Sequence, residues 1–141
     1  MATLYGVNVT KIIAGGSGDN IVAGGQIKVT TKVFQDSYEA VAGQIADVIE
    51  ICRLPADQTI VDIKIYFDAL GGGSTLAIGD ANTADLYISA TSTASAGSAS
   101  LDNIAGQSYV TGTNDDDTTI IATIAGGAIT GTIKSVVTYT N

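Results

Sequence analysis

The groups able to do chemistry in this chain are one cysteine and fourteen carboxylates, with six tyrosines beside them and no histidine. Without imidazole there is no Ser-His-Asp or Cys-His nucleophile, no histidine-held metal and no ordinary neutral-pH general base. Cys52 sits in the apolar run Val48-Ile49-Glu50-Ile51-Cys52. A buried, inert thiol is expected there, because a reactive thiolate needs a neighbouring base or cation. Among the carboxylates, Asp80-Ala81-Asn82-Thr83-Ala84-Asp85 puts oxygens at the first and third places of a calcium-type loop. Asp85, however, stands where the loop needs glycine, and Thr91 where it needs a bidentate Glu. Asp115-Asp116-Asp117 is denser, but three adjacent residues on a turn point in different directions, so a solvated acidic tip is expected. A glycosidase needs two carboxyls facing across a cleft beside aromatic platforms, and aromatics are only 6% of the chain with no tryptophan. No catalytic residue, metal or cofactor is expected, and the chain reads as a non-enzyme.

The remaining motifs are equally plain. Gly16-Ser17-Gly18 begins like a dinucleotide loop, but Ile21 follows in place of glycine and no strand-then-helix frame surrounds it. Asn8-Val9-Thr10 is a formal glycosylation sequon, and a chance match is expected, since Met1 to Gly6 reads as neither the basic nor the apolar part of a secretory leader. The tyrosines are spread singly, and Tyr66 and Tyr87 fall on the polar phase of their strands. They are either cross-strand packing or interface anchors, since tyrosine offers area and a hydroxyl together.

Composition narrows the partners. The chain has 141 residues, enough for one domain with a real core. Apolar residues make up 45% and charged ones 14%, yet the net charge is -8. Six scattered Lys and Arg cannot displace counterions from nucleic acid, and an acidic surface is repelled by anionic membranes. No run approaches the ~20 apolar residues of a membrane helix. With a single cysteine there is no internal disulfide, so stability must come from packing or association.

The elements that position these groups are strands. Ile60 to Asp68 alternates so that Val61, Ile63, Ile65 and Phe67 face inward and Asp62, Lys64, Tyr66 and Asp68 outward. With Thr75 to Gly79 and Ala84 to Ala90 it predicts an antiparallel meander. Gln26 to Phe34 places Ile27, Val29, Thr31 and Val33 on one face. Ala46 to Leu54 predicts a strand buried on both faces, and Tyr38 to Gln44 a loop or one helical turn. Thr91 to Ser100, uncharged and small, predicts a long exposed loop. Gln107 to Thr111, Thr118 to Ile124 and Ile129 to Thr140 predict further strands, the last with Ile129, Ile133 and Val137 on one face. Such short β-rich runs, broken by Gly, Asp, Asn and Ser turns, predict an all-β, antiparallel, single-domain β-sandwich or jelly roll. Residues 1–24 read as an N-terminal arm ending in glycine hinges, with Leu4, Tyr5, Val7 and Val9 as its contact residues, and 25–141 as the body.

Leu54-Pro55-Ala56-Asp57, Val61-Asp62-Ile63 through Phe67-Asp68-Ala69-Leu70-Gly71, Thr75 to Asp80, and Ala84-Asp85-Leu86-Tyr87-Ile88-Ser89-Ala90-Thr91 together resemble a pattern in the head decoration, or cement, proteins of tailed bacteriophages. The resemblance covers the middle third of the chain, with Leu86 standing where many relatives carry Arg. It implies a jelly-roll body, a homotrimer, and attachment to the major capsid protein on the outer capsid surface after assembly in the host cytoplasm. A receptor- or glycan-binding module of a phage fibre or spike is the alternative. No nucleic acid or membrane partner is implied.

Overall fold

In the computed structural model the described residues are 30–112 and 118–140. They form eight strands and no helix: β1 (Thr31–Gly43), β2 (Val48–Leu54), β3 (Thr59–Phe67), β4 (Thr75–Gly79), β5 (Ile88–Ser92), β6 (Gly97–Ser100), β7 (Thr118–Ala125) and β8 (Ile129–Thr140). One sheet has the order β1-β8-β3-β6 and the other β2-β7-β4-β5, all neighbours antiparallel. This double Greek key is a jelly roll, so the expected sandwich is the fold. The meander expectation is corrected: β3 and β4 lie in opposite sheets, and only β4 and β5 pair.

The core fills the space between the sheets with Ile63, Ile65 and Phe67 of β3, Ile129, Ile133 and Val137 of β8, Leu76 and Ile78 of β4, and Ile120 and Ile124 of β7. Two bulges adjust which residues enter it. In β3 the pairing shifts between Ile60 and Asp62. Ile60 is therefore fully buried, while Val61, expected inside, is 40% exposed. In β2 the shift lies between Glu50 and Cys52, so that Ile51 and Cys52 are both buried although adjacent. That bulge is why the run reads as apolar on both faces.

Four further expectations are corrected. Tyr38 to Gly43 continues β1, paired with β8 from Ile133 to Ile129. As an edge strand, with most of its residues exposed on both faces, it shows no apolar alternation. The strand expected from Ala46 begins at Val48, and Ala46 lies in the preceding turn with φ 72°. Thr91 to Ser100 is not one loop: Thr93 is buried, its N–H donating to Ser74 O at 2.9 Å, and Gly97 to Ser100 forms β6 along β3. Residues 84–87 and 107–109 are turns rather than strands, with Val110 making a single bridge to Thr59. Of the strand expected from Gln26 to Phe34, β1 supplies Thr31 onward, and Ile27 and Val29 lie outside the described residues.

The antiparallel order gathers the β1–β2, β3–β4, β5–β6 and β7–β8 connections at one end of the sandwich. They are tied by backbone bonds, Ala46 N to Ile124 O at 2.8 Å and Leu70 N to Thr93 O at 2.8 Å among them. Gly126, at φ 74°, turns β7 into β8 against the backbone of Gly73, where a side chain would collide. At the other end Thr111 is the bolt: its hydroxyl donates to Pro55 O at 2.7 Å and accepts from Gln58 N at 2.9 Å.

Candidate interaction surface

Tyr87 does not face solvent. It begins the last turn before β5 and is fully buried, its ring meeting Tyr109 edge-on at 5.9 Å. Gly106 makes room for it, since a Cβ there would stand 2.7 Å from the Tyr87 ring. The expectation of Tyr87 as an interface anchor is therefore corrected: Leu86 and Tyr87 turn into the core together. Leu86 thus supplies apolar area where an ion pair would need an arginine. Cys52 is buried as expected. Desolvation, with Asp36 and Glu50 adding to it, pushes its thiol up to about 12 and keeps it protonated.

Tyr66 is where β3 was expected to put it, outward and 45% exposed. Cross-strand register surrounds it with residues from three other strands. Lys134 of β8 and Ser98 of β6 are its direct partners, and Ser37 of β1 lies beyond Lys134. One row along, Gln35, Val136, Lys64 and Ser100 line up in the same way. The Lys64 ammonium lies 5.2 Å from the Tyr66 ring centroid, within cation–π range. Neither lysine has a carboxylate partner among the described residues, whereas Arg53 forks onto Glu50 at 2.9 and 3.0 Å. A groove of about 480 Å³ runs over β1, β8 and β3 between Gln35, Ser37, Tyr66 and Lys134. Sequence reasoning placed Lys64 and Tyr66 on this face. It could not supply Lys134, Ser37 and Ser98, because they arrive by register across β8, β1 and β6.

The two ends of the sandwich differ in charge. The β1–β2 connection exposes Val41 (79%), Ile45 (59%) and Val48 (56%). It is rigidly built: Gln44 N donates to Asp47 Oδ2 at 2.9 Å, Ala42 N to Thr130 Oγ1 at 3.2 Å, and Ala42 and Ala46 are held at positive φ. The carboxylates at this end, Asp47 and Asp68, both accept backbone N–H groups. The opposite end carries Asp57, Asp80, Asp85 and Asp102. Asp80 Oδ1 accepts the N–H of Asn82 and of Thr83 at 2.8 Å each, closing the β4–β5 turn. Leu4, Tyr5, Val7 and Val9, like Asp115 to Asp117, lie outside the described residues. No group of three acidic, cysteine or histidine residues among the described ones is arranged to hold a metal.

No family model and no curated protein matches the chain. Solved structures do. A chain in the cyanophage Pam1 capsid asymmetric unit aligns with a TM-score of 0.65 at 28% identity, over 81% of this chain and 86% of that one. Chains in the capsid of Ralstonia phage GP4 (TM-score 0.62, 20% identity, 82% and 85% covered) and in the acidic-stable capsid of Helicobacter pylori bacteriophage KHP30 (0.57, 11%, 79% and 87%) share the fold. The jelly roll described above is thus a fold found in phage capsids.

Proposed function

We propose that this chain is a structural virion protein that binds the outer surface of a phage capsid and reinforces it, without catalysis, as a decoration or cement protein. The observation that carries this reading is the match to the cyanophage capsid chain, which extends over most of both chains at 28% identity. Two physical features support it. A net charge of -8 suits a protein kept away from the packaged DNA, on the outside of the shell. The β1–β2 end presents Val41, Ile45 and Val48 on a strained and hydrogen-bonded connection, its carboxylates Asp47 and Asp68 each held by a backbone N–H, and it can bury apolar area on the major capsid protein.

The test is to mix purified protein with undecorated capsids and measure what pellets with them. Saturable pelleting at a fixed stoichiometry is expected. Ile45→Asp, which puts a carboxylate into the apolar end, should reduce the pelleted amount while leaving the unfolding transition unchanged. Wild-type protein that stays in the supernatant at every concentration would end this reading.

A further inference from the structure

We infer that the free edge of β1 is a pairing surface for the β1 of a second copy of this chain, the two strands running antiparallel about a two-fold axis at Ser37. This goes beyond attachment to a shell, and the contact itself does not depend on it. Of the four strands that end the two sheets, β6, β5 and β2 run for 4, 5 and 7 residues and β1 for 13. Among the described residues β1 pairs only with β8, so one side of its backbone is open. The Ser37 N–H marks which groups lie there. It donates to the neighbouring Asp36 Oδ1 at 2.8 Å rather than into β8, and by alternation Gln35 and Glu39 turn their N–H and C=O groups the same way. Such an unpaired row is a template for another strand.

The side chains choose the partner. Residues directly opposite in an antiparallel pair share a face, so two copies of β1 pair about a residue that faces itself. About Ser37, Val33 meets Val41, Phe34 meets Ala40 and Gln35 meets Glu39. The two valines, 55% and 79% exposed, cover each other, and the Gln35 amide donates to the Glu39 carboxylate. Val41 stands at the bulge that follows Ala40, so the new ladder rests on Gln35, Ser37 and Glu39 with a valine pair at each end. The neighbouring registers lose this match. About Asp36, two carboxylates would face each other directly; about Tyr38, Val41 would meet Gln35 and Val33 would meet Gly43.

Asp36 is a guard on this edge. Pairing displaces its hydrogen bond to Ser37 and brings the two Asp36 carboxylates to a diagonal separation of about 7 to 8 Å. One strand against one strand also buries less than the ~1,200 Å² of a stable interface. The contact is therefore weak. It is also self-limiting, because each copy has one such edge and a two-fold axis uses both. Being two-fold, it is separate from any three-fold interface that closes a trimer. On a shell it would link copies held side by side, a use that, unlike the contact, rests on the function proposed above.

The test places single cysteines on β1 of the full chain and adds a short bis-maleimide, with the wild type as control because Cys52 is buried. Ser37→Cys should give covalent dimers. Val33→Cys alone and Val41→Cys alone should stay at the wild-type level while their mixture crosslinks, since each meets the other and not itself. Asp36→Ala, which removes the guard from both copies, should raise the Ser37→Cys yield about tenfold at low protein concentration. Gln35→Pro removes one edge N–H and no bond to β8, and should bring that yield down to the wild-type level with the unfolding transition in place. Should proline unfold the chain, the valine mixture decides by itself. The inference is overturned if Ser37→Cys gives no more dimer than the wild type, or if Val33→Cys alone crosslinks as well as the mixture. A yield that Asp36→Ala lowers, or that folded Gln35→Pro leaves unchanged, overturns it too.

Discussion

The hydroxyl of Tyr87 is buried with no hydrogen-bond partner among the described residues. Burial, with Asp80 adding its negative charge, pushes its pKa well above the ordinary tyrosine value of 10.0. Cys52, displaced from 9.0 to about 12 by desolvation first, behaves alike. Both are acids whose proton is held more tightly in the folded chain. Once the pH passes the ordinary values, the unfolded chain has released protons that the folded one keeps, so unfolding becomes easier as pH rises. Stability should therefore be flat with respect to these groups below about pH 8 and fall through the window from about 9 to 12. Urea unfolding at a series of pH values checks the sign. Tyr87→Phe should cost less than ~1 kcal/mol at pH 7, because the hydroxyl has no bond to lose, and should flatten the fall above pH 10. A larger loss at pH 7 would show that the hydroxyl is bonded after all.

At the scale of the strand, β3 carries the clearest packing contrast. Phe67 is buried against the core and Lys64 is outside it, so Phe67→Ala should lose about 3 to 5 kcal/mol and Lys64→Ala almost nothing. The bulge adds a second contrast: Ile60→Ala should cost about 2 to 5 kcal/mol and its neighbour Val61→Ala under about 1. Chemical denaturation of the four variants checks both, and equal losses at 60 and 61 would mean that the strand has no bulge. This pair of residues also marks the limit of what alternation reveals. Ile63, Ile65 and Phe67, and Ile129, Ile133 and Val137, follow period two without interruption, and their inward face is legible in the sequence. A bulge inserts one residue and leaves no compositional mark, so Val61 reads as core and Ile60 does not. Edge strands hide for a different reason. β1 beyond Tyr38 is wet on both faces, and β6 is Gly-Ser-Ala-Ser held by backbone pairing to β3, so neither has an apolar period to read. The groove shares that limit, because half its lining comes from strands distant in the chain.

At the scale of the whole molecule, an acidic body has to gain stability and attachment through its few uncharged or cationic surfaces. A cyclic homotrimer is proposed, the number three coming from the resemblance to decoration proteins and the need for association from a small domain with no internal disulfide. Sedimentation equilibrium at micromolar concentration should show it, and a monomer alone would count against it. Residues 1–24 are proposed as the arm that joins each copy to a neighbour or to the shell, with Leu4, Tyr5, Val7 and Val9 making contacts by strand addition. Among the described residues the buried core draws on Ala40 through Val137. On the arm proposal, a chain lacking residues 1–24 should keep its cooperative unfolding while pelleting less with capsids. Because such contacts are backbone hydrogen bonds and apolar area rather than ion pairs, pelleting of the full chain should persist at moderate salt. Loss of the cooperative transition on truncation would make the segment part of the body. Full capsid binding by the truncated chain would leave the apolar β1–β2 end as the attachment, a result that Ile45→Asp in the truncated background would then have to abolish.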